Sequence, residues 1–190
     1  MPVNTTLRFV DDNNNIVDRR ITKIMALPTY GHSSLSGYDI VVGELDSDVP
    51  FSISYAQVMP RAVTTIELPN EDRVPVFHTD FEEKALVADF WYESGNTAHL
   101  VPPASWHIRR PFYKTKIDED HGNPVFFVVG DELVLLFMFT YGGAGHGTSI
   151  SAHYDDINDI IRGWGSSYRL TEVDLSQFLG DHESVPNIIG

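Results

Sequence analysis

Hydrophobic and polar residues alternate with the two-residue period of β-strands over much of the chain. The first predicted unit is a hairpin: alternation over residues 6–10, turn residues over 11–15 and renewed alternation over 16–24. The turn is rich in oxygen ligands. However, it lacks the spaced acids, central glycine and closing glutamate of a calcium loop, so a plain turn is predicted.

The middle of the chain predicts short strands interrupted by prolines. A strand is expected over 38–45, and shorter ones over 53–59 and 63–68. A boundary between two halves is expected near residues 70 to 76. Prolines punctuate this region at Pro60, Pro69 and Pro75.

The strongest β signal lies in the second half. The apolar run 125–129 meets Gly130-Asp131, a two-residue turn, and residues 133–141 then return with apolar side chains on both faces. This pattern predicts the core hairpin of a barrel. One helix is predicted over 152–164, capped by Ser151 and ended by Gly163 or Gly165.

Composition narrows the possible functions. The 190 residues are 42% hydrophobic and 12% aromatic, enough for one sizeable domain or two small barrels. The net charge of −14 argues against a nucleic-acid partner, and the basic residues between 109 and 116 are interpreted as a solvated loop. The absence of cysteine excludes disulfides, thiol catalysis and zinc-thiolate sites. No stretch approaches the ~20 apolar residues of a membrane helix, so no membrane partner is expected.

Three stretches in this order resemble the trypsin-like (chymotrypsin-fold) serine peptidases. Residues 38–45 (YDIVVGEL) resemble the strand that presents the catalytic aspartate, here Asp39. Residues 120–126 (DHGNPVF) resemble the nucleophile loop, with His121 at the serine position. Thr140, Tyr141 and Gly142 resemble the start of the substrate-binding strand. The resemblance, closest to divergent phage and environmental bacterial members, covers roughly residues 3 to 164 and implies an all-β fold: a double β-barrel with a C-terminal helix.

The resemblance also implies that catalysis has been lost. Acyl transfer on this fold needs a hydroxyl nucleophile, an imidazole base and an orienting carboxylate. His121 replaces the nucleophile, and no base precedes Asp39 at the expected spacing, because the loop residue His32 is only seven positions away. Glu119 replaces a glycine whose N–H would face the oxyanion. Losing the nucleophile or base alone costs about 10⁶-fold in a related enzyme, so no catalytic residues are expected and Asp39 and His121 are vestigial.

The missing base implies an incomplete N-terminal barrel. We therefore expect a remnant N-terminal barrel over 1–75, a C-terminal barrel and helix over 76–165, and a tail over 166–190. Open strand edges would need cover from another chain or from the tail. The expected anchors in the tail are apolar: Leu170, Val173, Leu175 and Phe178.

Two functional hypotheses follow. The first is a non-catalytic module for binding or assembly with other protein subunits, for example a structural component of a phage virion; otherwise a cytoplasmic setting is expected. The second is a serine endopeptidase whose base comes from an upstream segment or a partner. No cofactor or metal is expected, since His121 with His146 or His153 has no ligand-spacing motif.

Overall fold

The protein is mostly β-sheet with one short helix near the C-terminal end of its described part. The computed structural model describes residues 3–11, 13–28, 40–61, 74–79, 85–92, 97–101, 122–141 and 146–176. The expectation of an all-β chain with a C-terminal helix is confirmed at this level.

The N-terminal sheet contains three antiparallel strands in the order β1-β2-β3. They are β1 (Thr6–Val10), β2 (Ile16–Ala26) and β3 (Val41–Leu45). Asp11 shapes the β1–β2 turn, because its Oδ1 accepts hydrogen bonds from the backbone N–H groups of Asn13 (2.9 Å) and Asn15 (2.8 Å). Asn14 takes a left-handed φ of 60° there. The predicted hairpin is confirmed.

The second sheet contains seven strands of the described part. They are β4 (Gln57–Val58), β5 (Val74–Thr79), β6 (Ala85–Tyr92), β7 (Thr97–Val101), β8 (Pro124–Val129), β9 (Glu132–Tyr141) and β10 (His146–Ser149). Their order is β10-β7-β6-β5-β8-β9-β4, and β10 also pairs with β9. Every pairing is antiparallel except that of β4, which lies parallel to β9.

The β8–β9 hairpin carries most of the described core of this sheet. Gly130 has a φ of 61°, which suits the tight turn predicted for Gly130-Asp131. The register shifts where β9 gains an extra residue near Leu136. Across this bulge, Leu135 and Met138 pack against the helix cluster, while Val134 and Phe137 are completely buried. The prediction that β9 is apolar on both faces is confirmed.

The helix α1 (Tyr154–Gly163) packs its apolar face over a cluster that both sheets share. The cluster includes Leu27 and Ile40 beside the N-terminal sheet, and Val58 and Ile150 beside the second sheet. Lys23 of β2 also makes a cation–π contact with Trp164 at the end of the helix, with its Nζ 5.8 Å from the ring centroid.

The two ends of the helix differ from each other in how well they were predicted. The Ser151 cap was wrong: Ser151–His153 form a 3₁₀ turn, and His153 precedes the helix without a side-chain capping bond. The Tyr154 N–H instead bonds the Ser151 carbonyl. Gly165 ends the helix as predicted, with a φ of 79°. Its N–H donates to the Arg162 carbonyl and the next residue's to Ile161, a Schellman arrangement.

Candidate functional site

The structure describes only some of the residues that the resemblance to serine peptidases singles out. Asp39, His121 and Gly142 lie outside the described residues, while Thr140 and Tyr141 form the last backbone positions of β9. Asp39 therefore stays a prediction, and β3 begins at Val41, after the predicted start of this strand at residue 38.

The backbone that follows position 121 lies beside β9. Gly122 has a φ of 86° and donates its N–H to the Phe139 carbonyl (2.6 Å), while the Phe139 N–H donates to Asn123 (2.9 Å). A residue with a Cβ would be strained at such a φ, so this sharp turn favours glycine. The structure thus places Gly122 and Asn123 beside Phe139, the residue that precedes Thr140.

The last glycine of the segment 142–147 has a packing role. Strand β10 pairs with β9 from His146↔Tyr141 onward, through a register shift at His146/Gly147. A Cβ placed on Gly147 would lie 1.9 Å from Phe137 Cδ2, closer than any real contact. Gly147 therefore lets β10 approach β9 over a buried phenyl ring.

Two separate polar pairs lie on or just after β10. Ser149 Oγ and Ser151 Oγ are 3.3 Å apart and share a hydrogen bond. His153 is buried, with its Nδ1 3.5 Å from Asp156 Oδ2. Within the described ranges, no group of three or more His, Cys, Asp or Glu side chains is placed to hold a metal ion.

The first three tail anchors lie in the core of their own chain. The Leu170 N–H donates to Asn158 Oδ1 (2.9 Å), and its carbonyl accepts from Tyr154 OH (3.0 Å). Val173 and Leu175 are both buried. Their role as contacts to a partner stays a prediction, and Phe178 lies outside the described residues.

The tail also extends the edge of the second sheet. The Val58 N–H donates to the Thr171 carbonyl (2.8 Å), and the Val173 N–H donates back to the Val58 carbonyl (2.9 Å). Because β4 is the end strand of the described sheet, this short parallel bridge covers an otherwise open edge.

Arg61, which follows β4, contacts both the helix and the tail. This role was not predicted from the sequence. Its backbone N–H donates to Glu172 Oε1 (2.8 Å), and its guanidinium donates to Asp155 Oδ1 (2.8 Å). Its Cζ lies 5.1 Å from the centroid of the Tyr154 ring. A lone arginine after a proline carries no local signal of contacts that are more than 90 residues distant along the chain.

The loop over residues 46–55, which follows β3, is held firmly against the N-terminal sheet. Asp46 accepts from the Arg20 backbone N–H (3.1 Å), and the Asp48 carbonyl accepts from Arg19 Nε (2.9 Å). Tyr55 OH donates to the Val49 carbonyl (3.1 Å). Several independent hydrogen bonds therefore fix the shape of this loop.

Two residues of the same loop also influence the pKa values of groups in other segments. A hydrogen bond to the Asp48 carboxylate raises the pKa of Tyr168, which follows the helix. Side-chain and backbone hydrogen bonds from Asn15 keep the pKa of Asp11 low, and Ser52 makes a smaller contribution. Phe51 sits at the tip of the loop, and its side chain is fully exposed (101%). No local sequence pattern marks this loop, because the residues that support it lie far along the chain.

Comparison with known proteins adds no identification. No protein-family model matches the chain, and no curated protein matches it. Of the helices in the described residues, none is long and apolar enough to span a membrane.

Proposed function

We propose that this chain is a non-catalytic module that uses a trypsin-like double β-barrel, with an incomplete N-terminal barrel, as a scaffold for assembly with other protein subunits. The observation that carries the proposal is the pattern of strand pairing in the second sheet. From β5 the pairings run through β6, β7, β10, β9 and β8 and return to β5. A cycle of six antiparallel strands is the arrangement that a closed barrel requires.

The N-terminal sheet supports the incomplete half of the proposal. The three strands β1, β2 and β3 pair in the order of the sequence, and so do the three strands β8, β9 and β10. In each set of three, the middle strand is the longest, with 11 residues in β2 and 10 in β9. In the second sheet, β5, β6 and β7 complete the cycle, because β5 pairs with β8 and β7 pairs with β10. The described residues contain no such complement for β1, β2 and β3.

The loss of catalysis rests on the chemistry of the sequence. His121 occupies the position of the nucleophile, and an imidazole cannot form the ester intermediate of a serine peptidase. The nearby hydroxyls of Ser149 and Ser151 bond each other. A scaffold that has lost its nucleophile and base keeps surfaces suited to binding, and the −14 net charge makes a protein partner more favourable than a nucleic acid.

An activity probe tests the catalytic half of this proposal. Treating the native full chain with a fluorophosphonate and mapping adducts by mass spectrometry should leave every serine unlabelled, with trypsin as the positive control. The variant His121→Ser should also stay unlabelled, because the base is still missing. Stoichiometric labelling of either protein would favour a serine endopeptidase and overturn the proposal.

An engineered disulfide tests the barrel. The chain contains no cysteine, so a pair introduced at Thr97 and Thr148, which are register partners on β7 and β10, has no competitor. Directly opposed residues of antiparallel strands have Cα separations of about 4.5–5.5 Å, within reach of a disulfide. We expect this pair to oxidise and the matched pair at Thr97 and Ser149 to remain reduced. Equal oxidation of both pairs, or of neither, would contradict the cyclic pairing.

A further inference from the structure

The segment over residues 170–175, which follows the helix, lies along one edge of the second sheet. We call this segment the strap. Its backbone joins β4 through an isolated parallel bridge, in which the N–H and the carbonyl of Val58 bond to Thr171 and Val173. Of its six side chains, those of Val173 and Leu175 are buried and the others are exposed or half-buried. The strap therefore occupies a strand position at the edge of the described sheet with few of the contacts of a core strand.

The connection between the helix and the strap is exposed to water. The chain turns at Gly165 (φ 79°), and residues 167–169 are all exposed. At the start of the strap, the Leu170 N–H donates to Asn158 Oδ1 and its carbonyl accepts from Tyr154 OH. These two bonds hold Leu170 on the helix. The rest of the strap can therefore leave β4 without disturbing the point at which it begins.

One carboxylate holds the middle of the strap. Glu172 Oε1 accepts a hydrogen bond from the Arg61 backbone N–H (2.8 Å) and lies 3.8 Å from Nε of the same arginine. The Arg61 guanidinium is fixed in turn by Asp155 of the helix and by the ring of Tyr154. Hydrogen bonds to a charged group are stronger than neutral ones. Because Arg61 follows β4, the Glu172 carboxylate determines how firmly the strap lies on that strand.

Release of the strap would expose the edge of β4. The N–H and carbonyl of Val58, which the strap satisfies, would then need another partner. The strap itself shows which segment fits: an extended chain parallel to β4, with apolar residues at the positions of Val173 and Leu175 and an acid at that of Glu172. In strand addition of this kind, backbone bonds supply affinity and side-chain positions supply specificity.

We infer that the strap is a releasable cover over a strand-addition site at β4, with the contact between Glu172 and Arg61 as its catch. Segments with few buried apolar contacts open locally while the core stays folded. The strap is such a segment, whereas β9 carries the fully buried Val134 and Phe137. The inference rests on the proposed role in assembly and names the edge to which an extended segment of another subunit would add.

Hydrogen exchange of the full chain, followed by mass spectrometry, tests the release. Glu172→Ala removes both contacts of the catch, so peptides over residues 55–60 and 170–176 should exchange about tenfold faster, by the same factor. Peptides from β8 and β9 should be unchanged. Asp159→Ala is the matched control, because it removes the carboxylate of an exposed pair with Arg162 that lies outside the strap. It should leave exchange in both regions as in the wild type.

A synthetic peptide tests the binding site. The probe is a fluorescent copy of residues 168–176 (YRLTEVDLS), and its binding to the full chain is measured by anisotropy. Binding requires the open state, so the apparent dissociation constant should fall by about the factor by which Glu172→Ala speeds exchange. The Asp159→Ala chain should bind the peptide as weakly as the wild type. A peptide with Ala at the position of Glu172 should bind less tightly, because it offers Arg61 no carboxylate.

Each outcome decides a separate part of the inference. Unchanged exchange in Glu172→Ala, or an equal increase in β8 and β9, would overturn the releasable strap. Faster exchange without tighter binding of the peptide, or binding that ignores the acid, would overturn the strand-addition site. Failure of the proposed function would appear elsewhere, as fluorophosphonate labelling or as equal oxidation of the two cysteine pairs, and neither measurement involves the strap.

Discussion

The two sheets of this protein are stabilised in different ways. The second sheet contains five completely or almost completely buried core side chains on its strands β5, β8 and β9: Val76, Val125, Val134, Phe137 and Phe139. Among the strand residues of the N-terminal sheet, only Ile21 is buried to a similar degree. Burial of apolar area is the main favourable term in folding, at roughly 25 cal/mol per Å².

Polar contacts take the place of a core in the N-terminal sheet. Its strands are joined by ion pairs between Arg8 and Asp18, Arg20 and Asp46, and Lys23 and Glu44. Exposed ion pairs contribute little to stability because water screens them. A three-stranded sheet with few buried side chains is marginal by itself. The N-terminal sheet therefore depends on the apolar cluster that it shares with the helix.

The largest expected effect is a difference in the free energy of unfolding between matched truncations in the two sheets. Phe137→Ala should lower the free energy of unfolding by about 3–5 kcal/mol, because it empties a fully buried site between β9 and β10. Phe9→Ala, on half-buried β1, should cost about 1–2 kcal/mol, since less apolar area returns to water.

Urea unfolding followed by circular dichroism measures both variants. Circular dichroism spectra without denaturant serve as the control for an intact fold. Equal losses would mean that the N-terminal sheet carries as much of the core as the second sheet, and the contrast between them would be wrong.

The same contrast explains which parts of the structure could be predicted from sequence. The β1–β2 and β8–β9 hairpins follow from local signals: alternation, a turn at Asp11 and glycine at Gly130. Leu170, Val173 and Leu175 were expected to be tail anchors; Val173 and Leu175 are buried and Leu170 is partly buried against the helix cluster. Apolar residues in an otherwise polar tail are themselves a local signal.

The rest depends on contacts that local patterns do not encode. The parallel pairing of β4 with β9 joins Val58 to Leu135, and Arg61 bonds Glu172, in both cases across a long stretch of chain. The Ser151 cap failed for a related reason. The chain enters the helix through a 3₁₀ turn whose backbone bond satisfies the Tyr154 N–H, and no sequence pattern distinguished this from a capped start.

Acid should weaken the N-terminal sheet before the second sheet. Hydrogen bonds hold the pKa of three of its carboxylates below the usual value: side-chain bonds from Asn15 to Asp11 and from Arg8 to Asp18, and a backbone bond from Arg20 to Asp46. Because each pKa is lower in the folded than in the unfolded state, the resulting stability is complete above the unfolded value. It is lost as the pH falls from about 5 toward 3.

Hydrogen exchange with mass spectrometry, corrected for the intrinsic pH dependence of exchange, can follow each sheet separately. Peptides from β1 and β2 should lose protection in this range, while those from β8 and β9 keep it. The variant Asp46→Asn should reduce the change in the N-terminal peptides. Simultaneous loss in both sheets would indicate a single cooperative unit and remove the distinction.

The smallest expected effect concerns the Arg8–Asp18 pair, which best represents how the N-terminal sheet is held. Arg8 Nε lies 2.9 Å from Asp18 Oδ1 and Nη2 lies 3.1 Å from Oδ2, a two-pronged contact between register partners on β1 and β2. Both side chains are exposed to water, so their attraction is largely screened. A double-mutant cycle with Arg8→Ala and Asp18→Ala, measured by urea unfolding, should give a coupling energy far below the cost of Phe137→Ala and falling further with salt. A coupling as large as the core truncation, or one insensitive to salt, would mean that this hairpin is stabilised mainly by its charges, and that the contrast drawn between the two sheets is wrong.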